Sequence, residues 1–336
     1  MDSITQGLLG AAIAEAGFRH KLGGRAVAFG AFCGVAPDLD MVAALAGEWA
    51  TMVHHRGVSH SWVMETLAAP ILGWLAWRFI AKREGSWWHW AHLAWWALVT
   101  HPALDLCTAY GTQLFAPIST HRYAIDAVSI VDLAYSVPLF VAALYARFGK
   151  IEGRSRRVAI GALVFSTLYL GVGWVQSQRA IAWAEEDLTA QAFESVETRA
   201  LPSLGNILVY RVIARDARGR YRVTMLSHST PRRLEWIALQ HEEDPLVERT
   251  MESDRGRMLM WFGMDFSLFD LEPTDEGWTV RVRDLRFGRY AHPDQTFMGA
   301  RFEYDREGNL LRAYRRRPDQ DRGGMGEDLA ALWSYF

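Results

Sequence analysis

The chain lacks the signals of several common protein classes. Only two of its 336 residues are cysteines, Cys33 and Cys107, and they are expected to be buried thiols unless they lie close enough to pair. The net charge is −2, and no basic stripe with interleaved aromatics occurs, so nucleic acid is not an expected partner. Met1-Asp2-Ser3 lacks the basic region that opens a signal peptide. Any export is therefore expected to use apolar segments within the chain.

The near-zero mean hydropathy of −0.03 hides two contrasting halves. Residues 1–178 are apolar and rich in Trp, Ala, Leu and Gly, whereas residues 179–336 are dense in Arg, Glu and Asp. The sequence predicts a membrane-embedded helical domain over 1–178 and a soluble extracytoplasmic domain over 179–336.

Apolar stretches of the length needed to cross a bilayer recur through the first half. A hydrocarbon core of about 30 Å needs roughly 20 apolar residues in a helix. Six segments are predicted: Ile4–Phe18, Ala26–Ala46, Trp62–Ile80, Trp87–Leu106, Ser129–Ala146 and Val158–Gln176. The first is short, and the second is interrupted by Pro37. The fold class is thus a mainly α, polytopic bundle of about five to six membrane segments followed by a β-rich α+β domain. A soluble bundle with buried core helices is the alternative.

The distribution of Lys and Arg between the connections predicts the orientation. Three connections are rich in basic residues, namely Arg19–Arg25, Lys82–Glu84 and Arg147–Arg157. The opposite connections, Gly47–Ser61 and Cys107–Val128, contain only Arg56 and Arg122. By the positive-inside rule the basic side is cytoplasmic. The connections with few basic residues and the C-terminal tail are then expected on the periplasmic or extracellular face of a bacterial inner membrane.

Polar residues gather near the outer ends of these segments. Ionisable groups at membrane depth are costly and mark candidate functional sites. The predicted metal ligands are Asp38, Asp40, His54, His55, His60, His101 and Asp105. His101 and Asp105 are four residues apart and share a helix face. Asp38 and Asp40 reach a single ion only if Pro37 breaks the helix.

This mixture of imidazole and carboxylate predicts a divalent metal cofactor. Such ligands suit Zn²⁺, Mn²⁺ or Fe²⁺, and Zn²⁺ is favoured. The number of candidate ligands exceeds one tetrahedral site and indicates one or two ions. Two neighbouring metals are a recurrent arrangement for cleaving phosphoesters.

Several of these residues have structural alternatives. Asp38 can sit at a helix N-terminus, His60 can mark a helix start, and either His54 or His55 can be a loop residue or a partner of a ligand. For Asp126 and Asp132, helix capping and a role in the site are equally favoured. Gln6, Arg56 and Ser59 are further candidates for contacts to the ligands or to a substrate.

Several short motifs of the first half are distinctive: Met1–Gly7, Pro37–Asp40, the run His54–Ser61, and Thr100–Asp105 followed by Tyr110–Gln113. Together they resemble the YdjM family. The resemblance covers about residues 1–140. It implies an inner-membrane-associated, metal-dependent hydrolase related to zinc phospholipase C, with the seven ligand candidates as site residues. Many members have Thr-His where this chain has Thr5-Gln6, so a histidine ligand of the first segment is missing here.

The C-terminal half is predicted to form a small β-rich α+β domain. A polar helix is expected over Ala182–Glu197. Alternating runs predict strands at Ile207–Ile213, Arg220–Leu226, Trp278–Val282 and Arg301–Tyr304. No P-loop, nucleophile elbow or metal spacing occurs, and the scattered histidines indicate ordinary surface or core residues.

The leading functional hypothesis is a membrane-bound hydrolase that cleaves a phosphoester, with membrane lipid as partner and a lipid-linked substrate favoured by analogy. Asp38 or Asp40 is the expected catalytic base. A non-catalytic metal-binding or scaffolding membrane protein is the first alternative. A transporter is the second, although its polar residues would be expected in both halves of the membrane.

Overall fold

The computed structural model describes residues 1–148, 153–230, 233–315 and 324–336. Lys150, one of the basic residues of the connection Arg147–Arg157, lies outside the described residues. The chain divides into two compact units. The first comprises Met1–Trp174 with Leu204–Asn206, and the second comprises Val175–Ser203 with Ile207–Phe336.

The first unit is built from helices that follow the predicted apolar segments. Its elements in chain order are α1 (Ser3–Gly17), α2 (Arg19–Leu22), α3 (Arg25–Val35), a 3-10 helix (Ala36–Ala46), α4 (Ala50–His54), a 3-10 turn (Val58–His60), α5 (Trp62–Leu75) with a π-helical end (Ala76–Ile80), α6 (Trp87–Leu106), α7 (Leu133–Phe148) and the start of α8 (Arg154–Ala190). The residues of α8 from Val175 onward belong to the second unit. Asp2 caps α1 by accepting a hydrogen bond from the Thr5 amide at 2.9 Å.

Three of these helical stretches are long and apolar enough to cross a membrane: Arg25–Ala46, Trp62–Ile80 and Arg154–Ala190. Leu133–Phe148 is a shorter apolar helix. Large apolar side chains such as Leu67, Ile71 and Leu168 are more than half exposed on α5 and α8, as expected of surfaces that face lipid. The prediction of a helical membrane region is therefore confirmed in this coarser form, with three candidate spans among the described residues.

Two predicted boundaries differ from the observed ones. The segment predicted from Ser129 becomes helical only at Leu133, because Asp132 acts as a cap and accepts a hydrogen bond from the Tyr135 amide at 3.2 Å. The polar helix predicted over Ala182–Glu197 is instead the end of the long helix α8, which stops at Ala190. The residues from Ser195 onward belong to the first strand.

Close helix packing holds the elements that carry the site. A Cβ atom added to Gly10 would lie 2.2 Å from the Gly30 carbonyl oxygen, and one added to Gly34 would lie 2.4 Å from the Gln6 carbonyl oxygen. Only glycine permits α1 and α3 to approach this closely, as in other helix pairs packed through small residues. The contact fixes Gln6 and the Gly34 carbonyl beside α6.

The second unit contains two four-stranded antiparallel sheets. The first sheet has the order β1 (Ser195–Pro202), β2 (Val209–Asp216), β3 (Tyr221–Ser227) and β4 (Ile237–Leu239). The second has the order β5 (Ser267–Thr274), β6 (Gly277–Asp284), β7 (Gly299–Asp305) and β8 (Leu310–Arg315). Three further helices are α9 (Pro245–Glu252), α10 (Asp254–Phe262) and α11 (Met325–Ser334). The β-rich C-terminal region predicted from the alternating runs is confirmed, and its four predicted strands overlap β2, β3, β6 and β7.

Candidate metal centre

Four segments of the first unit bring the polar cluster together. Asp38 and Asp40 lie on the 3-10 helix that begins after α3, and Pro37 at its start marks the change from α-helical geometry. His55 follows α4, His60 ends the short 3-10 turn, and the remaining two residues, His101 and Asp105, lie on α6. His60 and His101 are at most 1% exposed. Chain segments far apart in sequence thus meet around two buried imidazoles.

Asp38, His60 and His101 form the central triad of the site. The Nε2 atoms of His60 and His101 lie 3.0 Å apart, and each lies 3.4 Å from Asp38 Oδ1. Three ligands at about 2.0–2.1 Å from a tetrahedral Zn²⁺ are separated from one another by about 3.3 Å. The donor separations therefore fit a single ion held by the three residues.

Hydrogen bonds to the other ring nitrogens orient both histidines. His101 Nδ1 lies 2.6 Å from the Gly34 carbonyl oxygen, which can only accept, so Nδ1 carries the proton and Nε2 keeps its lone pair. His60 Nδ1 lies 3.2 Å from Asp40 Oδ2. This carboxylate–histidine pair likewise directs the His60 Nε2 lone pair toward the centre.

Asp40 is more heavily hydrogen-bonded than Asp38. Its carboxylate accepts a hydrogen bond from Ser59 Oγ at 2.5 Å and from the Arg56 amide at 3.2 Å, and its Oδ1 lies 2.8 Å from His55 Nδ1. Asp40, His55 and His60 form a second possible donor group. Both groups share His60, and a neutral imidazole offers only one lone pair. The geometry therefore favours one ion at the triad, with Asp40 holding His60 in place.

Asp105 lies directly beside the triad. Its Oδ2 atom is 3.3 Å from His60 Nε2 and 3.6 Å from His101 Nε2, and although it is buried it accepts no hydrogen bond from the residues that the structure describes. Arg56 Nε lies 3.1 Å from the same oxygen, while Gln6 Nε2 donates to Oδ1 at 3.1 Å. The Met1 amino nitrogen also contacts Oδ1. Asp105 is thus placed either as a fourth ligand or as the anion that balances Arg56.

The electrostatics of the cluster favour positive charge at its centre. Burial opposes protonation of His60, yet the carboxylates of Asp105, Asp38 and Asp40, which lie within 3.4 Å of its ring nitrogens, outweigh it and raise the pKa of His60 to about 10. Three carboxylates around two imidazoles are the arrangement expected to attract a divalent cation.

The other predicted residues occupy different positions. His54 is exposed and belongs to neither donor group. Asp132 caps α7 and accepts a hydrogen bond from the Tyr169 hydroxyl at 3.0 Å. Asp126 has a left-handed backbone (φ 49°) in the loop before α7 and is also outside both donor groups. Both cysteines are buried free thiols.

Ser3 and Glu65 lie near the cluster and, like Met1, were not singled out as site residues from the sequence. Ser3 Oγ donates a hydrogen bond to Asp38 Oδ2. Glu65, on α5, is 3% exposed, and neither of its carboxylate oxygens has a hydrogen-bond partner among the described residues. The signal for Glu65 was present, because it is an acidic residue within the otherwise apolar run Trp62–Ile80.

The fold and the site define a helical membrane protein that buries a candidate metal centre of aspartate and histidine. A family model described as YdjM inner membrane protein matches residues 1–180, which is more than half of the chain. The chain therefore belongs to the YdjM inner membrane protein family, as its sequence motifs indicated. No curated protein and no solved structure matches it.

Proposed function

We propose that the chain is a metal-dependent hydrolase of the inner membrane that cleaves a phosphoester, with a lipid-linked phosphoester as the favoured substrate. The observation that carries the proposal is the triad of Asp38, His60 and His101, whose donor atoms lie 3.0–3.4 Å apart. Three protein ligands with a remaining position for water are typical of catalytic rather than structural zinc sites.

The chain's own residues divide the work around this ion. Asp38, His60 and His101 would hold it, and Asp40 keeps His60 oriented. A bound Zn²⁺ lowers the pKa of a coordinated water and polarises the scissile group, and Mn²⁺ or Fe²⁺ would serve similarly. Arg56 is buried beside the centre and provides a fixed positive charge next to Asp105, where a phosphate oxygen would be stabilised.

The two aspartates proposed from sequence as the catalytic base are unequal in the structure. Asp38 belongs to the triad, so its carboxylate is occupied when an ion is bound. Asp40 remains the better placed of the two, although the donors around it weaken it as a base because they stabilise its charged form.

A non-catalytic metal-binding or scaffolding protein is the second candidate. It is favoured by the position of Asp105 Oδ2, which lies 3.3 Å from His60 Nε2 and would close the coordination sphere as a fourth protein ligand. A closed four-ligand site leaves no place for a reacting water.

Metal analysis and turnover separate the two candidates. The full-length protein would be purified in lipid nanodiscs, its metal content measured, and its activity assayed on phosphodiesters and phospholipids. The hydrolase predicts bound metal and turnover, both lost in His60→Ala. Bound metal without turnover would overturn the enzyme and leave the scaffold. Turnover unchanged in His60→Ala and Asp105→Ala would show that the activity does not arise at this site.

We further propose that five to six segments span the membrane, with the site and the C-terminal domain on the periplasmic side and no nucleic-acid partner. The asymmetry of Lys and Arg between the connections supports this orientation. Phosphatase fusions at the C-terminus test it, since alkaline phosphatase is active only after export. An inactive phosphatase fused to the tail would place the C-terminal domain in the cytoplasm and reverse the proposed orientation.

A further inference from the structure

An open cavity of about 510 Å³ adjoins the metal centre within the first unit. It is bounded by the 3-10 helix Ala36–Ala46, by the turn before α5, and by α5 itself. Its polar lining consists of Asp40, His54, Ser59 and Glu65. Because Asp40 and Ser59 also contact or neighbour the triad residue His60, the cavity opens beside the place where an ion would be held.

His54 and Glu65 are polar groups of this cavity outside the two donor groups, and of the two only Glu65 is buried. Its side chain is buried, and both carboxyl oxygens are without a hydrogen-bond partner among the described residues. An isolated carboxylate is costly to bury, and polar groups in protein interiors are nearly always paired. The partner that Glu65 lacks among the described residues is therefore expected to be supplied by a molecule in the cavity.

The remaining wall of the cavity is apolar. It is lined by Pro37, Val58, Met64, Leu72 and Leu98 together with two alanines. A lining that is mostly apolar with a few convergent polar groups is typical of small-molecule sites of this size. It fits a ligand with an alkyl chain along the wall and a polar group between Glu65 and the metal centre.

We propose that this cavity binds the alkyl phosphoester substrate and that Glu65 is a catalytic residue that donates a proton to the leaving alcohol. The inference rests on the proposed hydrolase function and assigns a substrate class and a residue to the same site. In this arrangement Asp40 and the triad lie on one side of the reacting phosphorus, and Glu65 lies beside the leaving oxygen and protonates it.

The step balances with water as the only co-reactant. The water oxygen forms a bond to phosphorus and keeps one hydrogen there. The bond from phosphorus to the leaving oxygen breaks, its electron pair stays on that oxygen, and the Glu65 carboxyl supplies the proton that makes it an alcohol. The second proton of the water restores Glu65 through solvent, so one water and one diester give one alcohol and one monoester.

The test compares leaving groups in Glu65→Gln. Full-length protein in nanodiscs with zinc would be assayed on an alkyl phosphodiester and on its nitrophenyl counterpart, whose leaving group departs without protonation. Zinc content and the affinity for a non-hydrolysable alkylphosphonate would be measured on the same samples. Glu15→Gln is the matched control, because Glu15 is equally buried but is paired with Arg19 at 2.8 Å on α1.

We expect Glu65→Gln to keep its zinc and its phosphonate affinity and to lose roughly 100-fold or more of the rate on the alkyl ester. The loss on the nitrophenyl ester should be much smaller, and Glu65→Asp should recover part of the alkyl rate. Equal losses on both esters, no loss on either, or loss of zinc would overturn the assignment of Glu65 as proton donor.

A second variant tests the cavity without relying on turnover. Leu72→Trp reduces the space along the apolar wall of the cavity. It should weaken the binding of a long-chain phosphonate and leave the affinity for a short-chain phosphonate unchanged. Unchanged affinity for both would overturn the cavity as the binding site. A wild-type protein that binds zinc but hydrolyses neither ester overturns the proposed function itself, whereas an active wild type with an indifferent Glu65→Gln overturns only the role of Glu65.

Discussion

The Nε2 atoms of His60 and His101 face each other across 3.0 Å in the buried centre of the first unit. The Gly34 carbonyl oxygen accepts a hydrogen bond from His101 Nδ1, and Asp40 faces His60 Nδ1. The Nε2 lone pairs of both rings are therefore directed at the same point. Two lone pairs at this separation repel each other unless a cation stands with them. A proton on His60 meets this need, and so does a metal ion that also draws in Asp38.

Removing one member of the triad should therefore abolish metal binding, whereas removing His54 should not. We expect His101→Ala to lose essentially all bound zinc, because two remaining donors hold an ion poorly. His54 is exposed and outside both donor groups, so His54→Ala is the matched control and should retain zinc. Elemental analysis of the two purified variants decides the matter. Equal zinc loss in both would show that His54 is a ligand after all.

Asp40→Asn tests the distinction between a ligand and a residue that orients one. Since Asp40 faces His60 Nδ1 at 3.2 Å, the variant should weaken zinc affinity roughly 10- to 100-fold without abolishing binding. Competition with a chelator of known affinity measures the change. Complete loss of zinc from Asp40→Asn, matching that of Asp38→Asn, would place Asp40 among the ligands.

The apolar runs were sufficient to predict most helices of the first unit, because segment length and low charge are local properties. Acids and histidines within and between those runs were also sufficient to indicate the candidate cluster. The choice between His54 and His55 was not predictable. It depends on the chain leaving α4 at His55 with extended geometry, which turns only the second imidazole toward Asp40.

The separate roles of Asp38 and Asp40 could not be read from their spacing either. Both lie within one turn of the same 3-10 helix, yet they face opposite nitrogens of His60. Glu65 was overlooked because a single acid in an apolar helix has no motif around it. Its lack of a partner becomes visible only once the surrounding helices are in place.

Metal binding should release a proton and tighten as the pH rises. The pKa of His60 is raised to about 10 against an ordinary value of 6.5, so below about pH 10 an incoming ion must displace a proton from this imidazole. Zinc affinity should then increase about tenfold per pH unit in the neutral range. The protonated His60 should also stabilise the zinc-free fold, and this contribution is lost as the pH rises through about 10.

Calorimetric titration with zinc in buffers of different ionisation enthalpy counts the protons released. His54→Ala is the control, since it removes an exposed imidazole outside both donor groups and should leave the number of released protons unchanged. Zinc affinity independent of pH in the wild-type protein would contradict the raised pKa.

The close contact between α1 and α3 should be as important for the metal centre as for the fold. A methyl group at Gly34 would lie 2.4 Å from the Gln6 carbonyl oxygen, so Gly34→Ala must push the two helices apart. That shift moves the carbonyl that holds His101 Nδ1.

We expect Gly34→Ala to lose about 1–3 kcal/mol in stability, as for other overpacked positions, and to bind zinc more weakly. Gly171→Ala on α8 is the matched control, because no atom of the described residues lies within 4 Å of its added Cβ atom. Thermal unfolding of both variants in nanodiscs, with and without zinc, provides the measurement. If Gly34→Ala unfolds at the wild-type temperature and binds zinc normally, the helix contact does not position His101.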